Sequence, residues 1–170
     1  TPGLLQPGDQ VLCNGASTNA IHFTGSVPGT IYKWVNNNPL IGLPANGTGD
    51  IPSFVAVNDS SSPVIATITV TPTANNCPGA SSTFTITIKA SPQIADLTNQ
   101  ALCNRATTNP ILLTGTINAT TYSWTNNNPS IGLSVNGSGD INSFTAVNNT
   151  SSPVNAVISV SANARRCTGK

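Results

Sequence analysis

The side chains able to do chemistry in this chain are few, and most of them occur twice at a fixed spacing. The sequence has five acidic residues, six basic residues and one histidine. Asp50 and Asp140 are the only acids that recur at equivalent positions, and His22 is matched by Leu112. A catalytic triad or a pair of catalytic carboxylates needs several such groups in one domain. We therefore predict that the chain is not an enzyme and has no catalytic residues, and that His22 is a surface imidazole.

The recurring acids, Asp50 and Asp140, are weak calcium candidates. They end the segments NGTGD and NGSGD, where loop carbonyls and the amide oxygens of Asn46 or Asn136 are close in sequence. Calcium prefers six to eight oxygen ligands and usually several carboxylates. One aspartate per segment favours the other interpretation, a glycine-rich turn whose carboxylate accepts backbone N–H groups. We expect no metal and no cofactor, with calcium left as the open alternative.

The four cysteines form two pairs of equal spacing. Cys13 and Cys77 lie 64 positions apart, as do Cys103 and Cys167. Zinc sites cluster their ligands as CxxC or CxxH, and no such cluster occurs. We predict two disulfides, Cys13–Cys77 and Cys103–Cys167, each worth about 4 kcal/mol by loop-closure entropy, and hence an oxidising compartment. The alternative is four buried free thiols.

Aromatic side chains also recur in pairs. Trp34 and Trp124 follow Tyr32 and Tyr122 at a spacing of two. An exposed row of such rings could stack on sugars, but these positions alternate with variable ones, as core positions of a strand do. We predict that both tryptophans are core anchors, each contributing about 2–3 kcal/mol by burial.

These residues belong to one long unit used twice. The stretch from Tyr32 to Phe54 returns from Tyr122 to Phe144, and the 90-residue offset holds without a gap from Leu12/Leu102 to Gly79/Gly169. A fixed repeat of this length indicates tandem domains. We predict two domains, residues 1–90 and 91–170. The linker at 89–93 is short and contains Pro92, so we expect a semi-rigid joint and an elongated particle.

Strand signals fill each repeat. In 64–73 Val64, Ala66, Ile68 and Val70 alternate with other residues, and the second copy keeps all four while changing the positions between them. Such agreement at a period of two indicates one packed face and one exposed face. Turn residues separate the runs. The predicted fold class is all-β, two immunoglobulin-like antiparallel sandwiches, with these strands in the first copy: 4–6, 10–13, 20–25, 31–36, 51–57, 64–72 and 82–89, and an extra one at 40–43.

The second repeat stops before its last strand. Lys170 matches Ala80, so the 170 residues contain no counterpart of the alternating run at 82–89. A sandwich without that strand exposes an apolar slot and an unpaired edge. Two interpretations stay open: the natural chain continues, or another chain donates the strand, which would allow self-assembly.

The low charge of the chain argues against some classes of binding partner. The net charge is +1, and charged residues make up 6% of the chain. Nucleic-acid binding and membrane-surface binding both rely on clusters of Lys and Arg. No apolar run approaches the eighteen residues of a membrane span. We expect no nucleic-acid partner and no membrane insertion in this segment.

A characteristic order of short segments runs through the first repeat. It reads Cys13, IYKW, NNN, SFVAVN, SSPVIATITVTP, Cys77 and FTITI. In this order they resemble the PKD-like, immunoglobulin-like tandem repeats of very large surface proteins of Bacteroidetes-type bacteria. The resemblance covers nearly the whole chain. It implies a seven-stranded sandwich and a structural role in an extracellular adhesin, stalk or gliding-motility filament at the bacterial cell surface. The implied partners are neighbouring repeats and other copies in a filament. The alternatives are a glycan- or protein-binding module and a self-assembling subunit.

Overall fold

The computed structural model describes residues 1–169. It is all-β apart from two one-turn 3₁₀ helices. The chain divides into two compact units, Thr1–Ala90 and Ser91–Lys170. Each unit is an immunoglobulin-like β-sandwich built around one continuous sheet.

Unit 1 contains a six-stranded sheet. Its order is β1-β6-β4-β2-β3, with β5 on the end of β4. All neighbours are antiparallel except β1 and β6, which run parallel and place Gln10 opposite Ile86 and Cys13 opposite Lys89. The strands are β1 (Gln10–Cys13), β2 (Ile31–Asn36), β3 (Asn46–Thr48), β4 (Val64–Ala74), β5 (Cys77–Pro78) and β6 (Ser82–Lys89).

Alternation of side chains builds the core of unit 1. On β4 the side chains of Ala66, Ile68 and Val70 have no exposed surface, and on the adjacent β6 Phe84 and Ile86 are at most 2% exposed. The threonines between them point the other way and keep contact with solvent. β-Branched and aromatic residues pack well on such a half-buried pleated surface. The constancy of the three β4 positions between repeats is therefore explained by packing.

A second layer covers this core. It consists of extended segments joined by single bridges, with Ile21 opposite Ile51 and Ser17 opposite Val55. Both Ile21 and Ile51 are buried against the main sheet. The sequence predicted full strands at 20–25 and 51–57; the structure keeps their pairing and burial but not a continuous ladder.

Unit 2 repeats the sheet without one strand. Its order is β10-β9-β7-β8, and residues 91–169 hold no counterpart of β6. Residues 100–103, the counterparts of β1, form no strand, and β9 begins four residues later than the equivalent position in β4. In unit 1, the residues equivalent to both of these non-strand segments are paired with β6. The strands are β7 (Thr121–Asn126), β8 (Asn136–Ser138), β9 (Ile158–Ala164) and β10 (Cys167–Gly169).

Some details of the predicted strands differ from the structure. The predicted strand at 4–6 is not formed: these residues belong to no strand, although Leu5 donates its N–H to the Thr24 carbonyl at 2.8 Å. The predicted strand at 40–43 is a 3₁₀ turn, Pro39–Ile41, because Pro39 opens the turn and Gly42, at φ 94°, closes it. Strand β3 was not predicted, since its Asn-Gly-Thr sequence has low strand propensity. Across residues 1–169, no helix has the length and apolar character needed to cross a membrane.

Candidate functional site

Each tryptophan lies over a glycine of the NGxGD segment. Trp34 on β2 is opposite Gly47 on β3, and Trp124 on β7 is opposite Gly137 on β8. A Cβ atom at either glycine would overlap the six-membered ring of its tryptophan. The NGTGD and NGSGD segments thus recur because a residue without a side chain is required beneath the indole. Both rings are buried, at 6% and 7% exposure.

This burial removes the two indoles from the surface. Trp34 donates its Nε1–H to the Gly49 carbonyl at 3.1 Å. In unit 2 the Nε1 atom of Trp124 is buried and has no hydrogen-bond partner among the described residues. Rings held in this way have no free face on which a sugar could stack. The sugar-stacking alternative drawn from the sequence is therefore not supported at Trp34 or Trp124.

Both recurring aspartates tie the glycine-rich segment to the second layer. Asp50 Oδ1 accepts the Phe23 N–H at 2.9 Å, and Asp140 Oδ1 accepts the Leu113 N–H at 2.7 Å. In unit 1 alone, the other carboxylate oxygen of Asp50 lies 2.7 Å from His22 Nδ1. Within residues 1–169 no three His, Cys, Asp or Glu side chains gather as a metal site would require.

The hydrogen bonds of Asp50 predict an acid-sensitive contribution to unit 1. The Phe23 N–H, followed by His22, lowers the pKa of the Asp50 carboxyl below its usual value. Because the pKa of Asp50 is lower in the folded state than in the unfolded state, its ionised carboxylate stabilises unit 1 above about pH 4. This stabilisation is lost as the pH falls through the pKa of the folded state. The pair is exposed, so we expect at most about 1 kcal/mol. Urea unfolding measures the free energy of unfolding of unit 1 at pH 7 and at pH 3. The decrease between the two pH values should be smaller for Asp50→Asn than for the unaltered chain. Equal losses would contradict this assignment.

The predicted disulfides are not formed in the structure. Cys77 and Cys103 are exposed free thiols. Cys13 lies opposite Lys89, beside the beginning of β4, whereas Cys77 lies opposite Ala74 at its end. Eleven residues of β4 separate these ends by about 33 Å, whereas a disulfide holds its Cα atoms within about 7 Å. Equal spacing in sequence indicated repetition, and it was wrong as a guide to pairing.

The same reasoning applies to the second pair. Cys167 faces Ala164 at the end of β9. Cys103 lines a groove that also includes Val154, which lies beyond the beginning of β9. Cys103 is an exposed free thiol, so this second predicted disulfide is not formed either.

Thiol labelling checks this arrangement. We expect Cys77 and Cys103 to react with a maleimide in the native chain, since both are exposed. Tryptic mapping of the labelled, non-reduced protein identifies the modified positions. The variants Cys77→Ser and Cys103→Ser should each lose one label without a change in folding. Resistance of both thiols to labelling until reductant is added would contradict the structure.

An open groove of about 740 Å³ runs along unit 2. Its walls include Ile131, Phe144, Ala146, Ile158 and Val160. Four of their counterparts, Ile41, Ala56, Ile68 and Val70, have no exposed surface in unit 1, whereas in unit 2 all five wall side chains are partly exposed. The fifth counterpart, Phe54, is partly exposed in unit 1 as well. The groove occupies the place that β6 fills in unit 1. The apolar slot predicted from the sequence is therefore present, and the structure adds its dimensions and walls.

Comparisons with known proteins gave structural likenesses only. No family model and no curated protein matches the chain. Among solved structures, "Crystal structure of DIP-gamma IG1+IG2" has a TM-score of 0.44 at 10% identity, over 96% of this chain and 90% of that one. "Crystal structure of Dpr11 IG1 bound to DIP-gamma IG+IG2" has a TM-score of 0.33 at 8% identity, over 94% and 96%. "Tandem Ig repeats of Dlar" has a TM-score of 0.29 at 14% identity, over 98% and 92%.

Proposed function

We propose that this chain is a structural repeat module of an extracellular bacterial surface protein, part of a stalk or filament that transmits tension. Tandem immunoglobulin-like domains generally serve as structural or binding modules outside the cell. The module acts without a cofactor or a bound metal, and its partners are neighbouring repeats. The observation that carries the proposal is the way in which the first and last strands of unit 1 are joined.

The first strand and the last strand of unit 1 are hydrogen-bonded neighbours running in parallel. Gln10–Cys13 pairs with residues 86–89 along its whole length. Side chains extend the junction, since Asp9 Oδ1 accepts the Thr85 N–H at 2.6 Å and Gln6 Nε2 donates to the Thr83 carbonyl at 2.5 Å. The N-terminal segment is thus hydrogen-bonded to β6 over residues 6–13.

Parallel terminal strands resist extension in a particular way. When the two ends of unit 1 are pulled apart, the beginning of β1 and the end of β6 move in opposite directions along one ladder. The force then acts across every hydrogen bond of that ladder at once instead of opening the bonds one after another. Forced unfolding is governed by the unfolding barrier, so this arrangement stabilises a loaded module kinetically.

Composition and repetition support the same role. Most interior side chains agree between the two repeats, while exposed positions such as Lys33 and Ser123 differ. A shared interior preserves the fold of a building unit, and a variable surface does not retain one binding site at the same place. Uncharged Thr, Ser and Asn cover the exposed strand faces in place of charged residues.

Single-molecule force spectroscopy on the full chain, held at its two termini, tests the proposal. Leu12→Pro removes a backbone donor from β1 opposite Ile88. We expect unit 1, recognised by the length of chain that it releases, to unfold about tenfold faster at a fixed force, the equivalent of one lost hydrogen bond.

The matched control is Leu102→Pro at the equivalent position of unit 2. Leu102 is 43% exposed and lies in no strand, so its replacement should leave the unfolding rates unchanged. If Leu12→Pro leaves the forced unfolding rate of unit 1 unaltered, the parallel ladder carries no load and the proposal fails. Antibody labelling of intact bacteria separately tests the surface location; staining only after permeabilisation would contradict it.

A further inference from the structure

The arginines of the chain occupy backbone positions that rarely hold a long side chain. All three lie in the second repeat, and each has a positive φ: 68° at Arg105, 52° at Arg165 and 66° at Arg166. A positive φ brings the Cβ atom close to the following carbonyl oxygen, so Gly and Asn adopt it far more readily than arginine. The equivalent residues of the first repeat, which also have a positive φ, are Gly15, Asn75 and Asn76. The second repeat therefore carries arginine where the turns themselves favour Gly or Asn.

Two of these arginines are neighbours at the tip of one hairpin. Arg165 and Arg166 form the two-residue loop between β9 and β10, and a positive φ at both positions is typical of a type I′ turn. The strand pairing directly below the loop is the same as below its counterpart in unit 1, so closing the hairpin does not require arginine. Both side chains are exposed. Side chains that are kept at a conformational cost are concentrated at ligand-binding and other functional sites.

The loop also places two guanidinium groups on adjacent residues of a chain that has few charges. Charged residues make up 6% of the sequence. Within residues 1–169, no ion pair joins Arg165 to a carboxylate. A guanidinium group binds a carboxylate or phosphate through two parallel N–H···O hydrogen bonds, which a lysine cannot reproduce. The chemistry of the loop thus suits an anionic group with several oxygen atoms.

We propose that the Arg165–Arg166 loop binds the carboxylate or sulfate groups of an acidic polysaccharide outside the cell. The tip is exposed and has no walls around it, so a single small anion would be held only weakly. A polymer carries many such groups, and its contacts with several loops add up where copies of the chain are clustered, as in a filament. Nucleic acid is the less suitable polyanion, because its binding relies on a wider basic surface than one arginine pair in a chain of net charge +1. The choice of a polysaccharide rests on the surface location proposed above.

Biolayer interferometry of the 170-residue chain on immobilised polysaccharides measures this binding directly. Polygalacturonate supplies carboxylates and dextran sulfate supplies sulfates, so the two probes distinguish the anionic groups. We expect saturable binding to at least one of them, and the affinity should fall as salt is added. Uncharged dextran should not bind.

A single substitution locates the site. Arg165→Asn restores the residue of the first repeat and should weaken binding at least about tenfold, because a charge-assisted hydrogen-bonding group is lost. Urea unfolding should show this variant to be at least as stable as the unaltered chain, since Asn suits a positive φ better. The matched control is Lys33→Ser, which removes one positive charge at an exposed position and introduces the residue that the second repeat has there. It should leave the affinity unchanged.

A converse variant builds the same loop in unit 1. The double substitution Asn75→Arg and Asn76→Arg should bind the polysaccharide more tightly than the unaltered chain, because two loops then contact one polymer. Four results would overturn the inference: no binding of either polysaccharide, equal weakening by Lys33→Ser and Arg165→Asn, no gain from the second loop, or tighter binding of duplex DNA than of both polysaccharides. The second of these would reduce the effect to net charge, and the last would make nucleic acid the ligand. Force spectroscopy and antibody labelling test the proposed stalk separately, so failure here is distinguishable from failure there.

Discussion

Replacing Phe84 with alanine should destabilise unit 1 by about 3–5 kcal/mol and leave unit 2 unaffected. Phe84 is the third residue of β6, lies opposite Ile68, and is 2% exposed. Its ring fills the space between the main sheet and the second layer, so truncation leaves a cavity that the surrounding strands close only in part. Since single domains have a free energy of unfolding of about 5–15 kcal/mol, this loss is a large fraction of the total.

The measurement is urea unfolding of a chain carrying Trp124→Phe, so that Trp34 fluorescence reports unit 1 alone. Thr83→Ala is the matched control, because Thr83 precedes Phe84 on the same strand and faces solvent. It should change the free energy of unfolding by less than about 0.5 kcal/mol. If Phe84→Ala were no more damaging than Thr83→Ala, β6 would not be part of the core.

Gly47→Ala should destabilise unit 1 by about 3 kcal/mol, which is the upper end of the usual cost of overpacking. The added methyl group would overlap the indole of Trp34. Because β3 is hydrogen-bonded to β2, the glycine backbone cannot withdraw without breaking the pairing of Trp34 with Gly47. The displaced ring would also lose its 3.1 Å hydrogen bond to the Gly49 carbonyl. We expect a red shift of Trp34 emission and a lower urea midpoint.

Substitutions at two other glycines test whether the effect comes from the contact with tryptophan. Gly8→Ala is the control, since a Cβ atom there meets no atom within 4 Å. It should change the free energy of unfolding by no more than about 0.5 kcal/mol. Gly137→Ala should reproduce the effect in unit 2, where the same glycine lies beneath Trp124. A loss in unit 1 without a matching loss in unit 2 would show that the two repeats do not share this packing.

Much of the fold could be predicted from the sequence, because alternation and repetition are local signals. Strands β1, β2 and β6 have the predicted bounds, and the alternating run of β4 extends two residues beyond its predicted end. The apolar slot of unit 2 followed from comparing the lengths of the two repeats. These features depend on periodicity within one strand and on the presence or absence of a strand.

Features that depend on position in three dimensions could not be predicted in this way. Cys13 and Cys77 are far apart because they lie beside opposite ends of β4, and equal sequence spacing contains no information about that. The role of Gly47 also required the register between β2 and β3. One available signal was overlooked: both repeats place NGxG after the tryptophan strand, and a recurring glycine near a recurring tryptophan indicates close packing.

Within the described residues, the two repeats differ by one strand. In unit 1 the last strand completes both the core and the parallel junction with β1. In unit 2 the corresponding space is open, and its walls are partly exposed. The arrangement of unit 1, in which the first and last strands are hydrogen-bonded neighbours, is the one suited to tension. The difference rests on a single strand of eight residues, Ser82–Lys89.

Amide hydrogen exchange of Ala66 and Ala156, measured by NMR on the intact chain, is the most direct test of this account. Ala66 lies within β4 opposite Ile86, whereas Ala156 occupies the same place in unit 2 and belongs to no strand. We predict exchange at least about a hundredfold slower at Ala66, since local opening governs Ala156. Appending SSTFTITIK after Lys170 should slow Ala156 toward the rate of Ala66. Equal protection of the two amides in the unaltered chain would contradict the claim that both repeats are one sandwich whose central strand is held by β6.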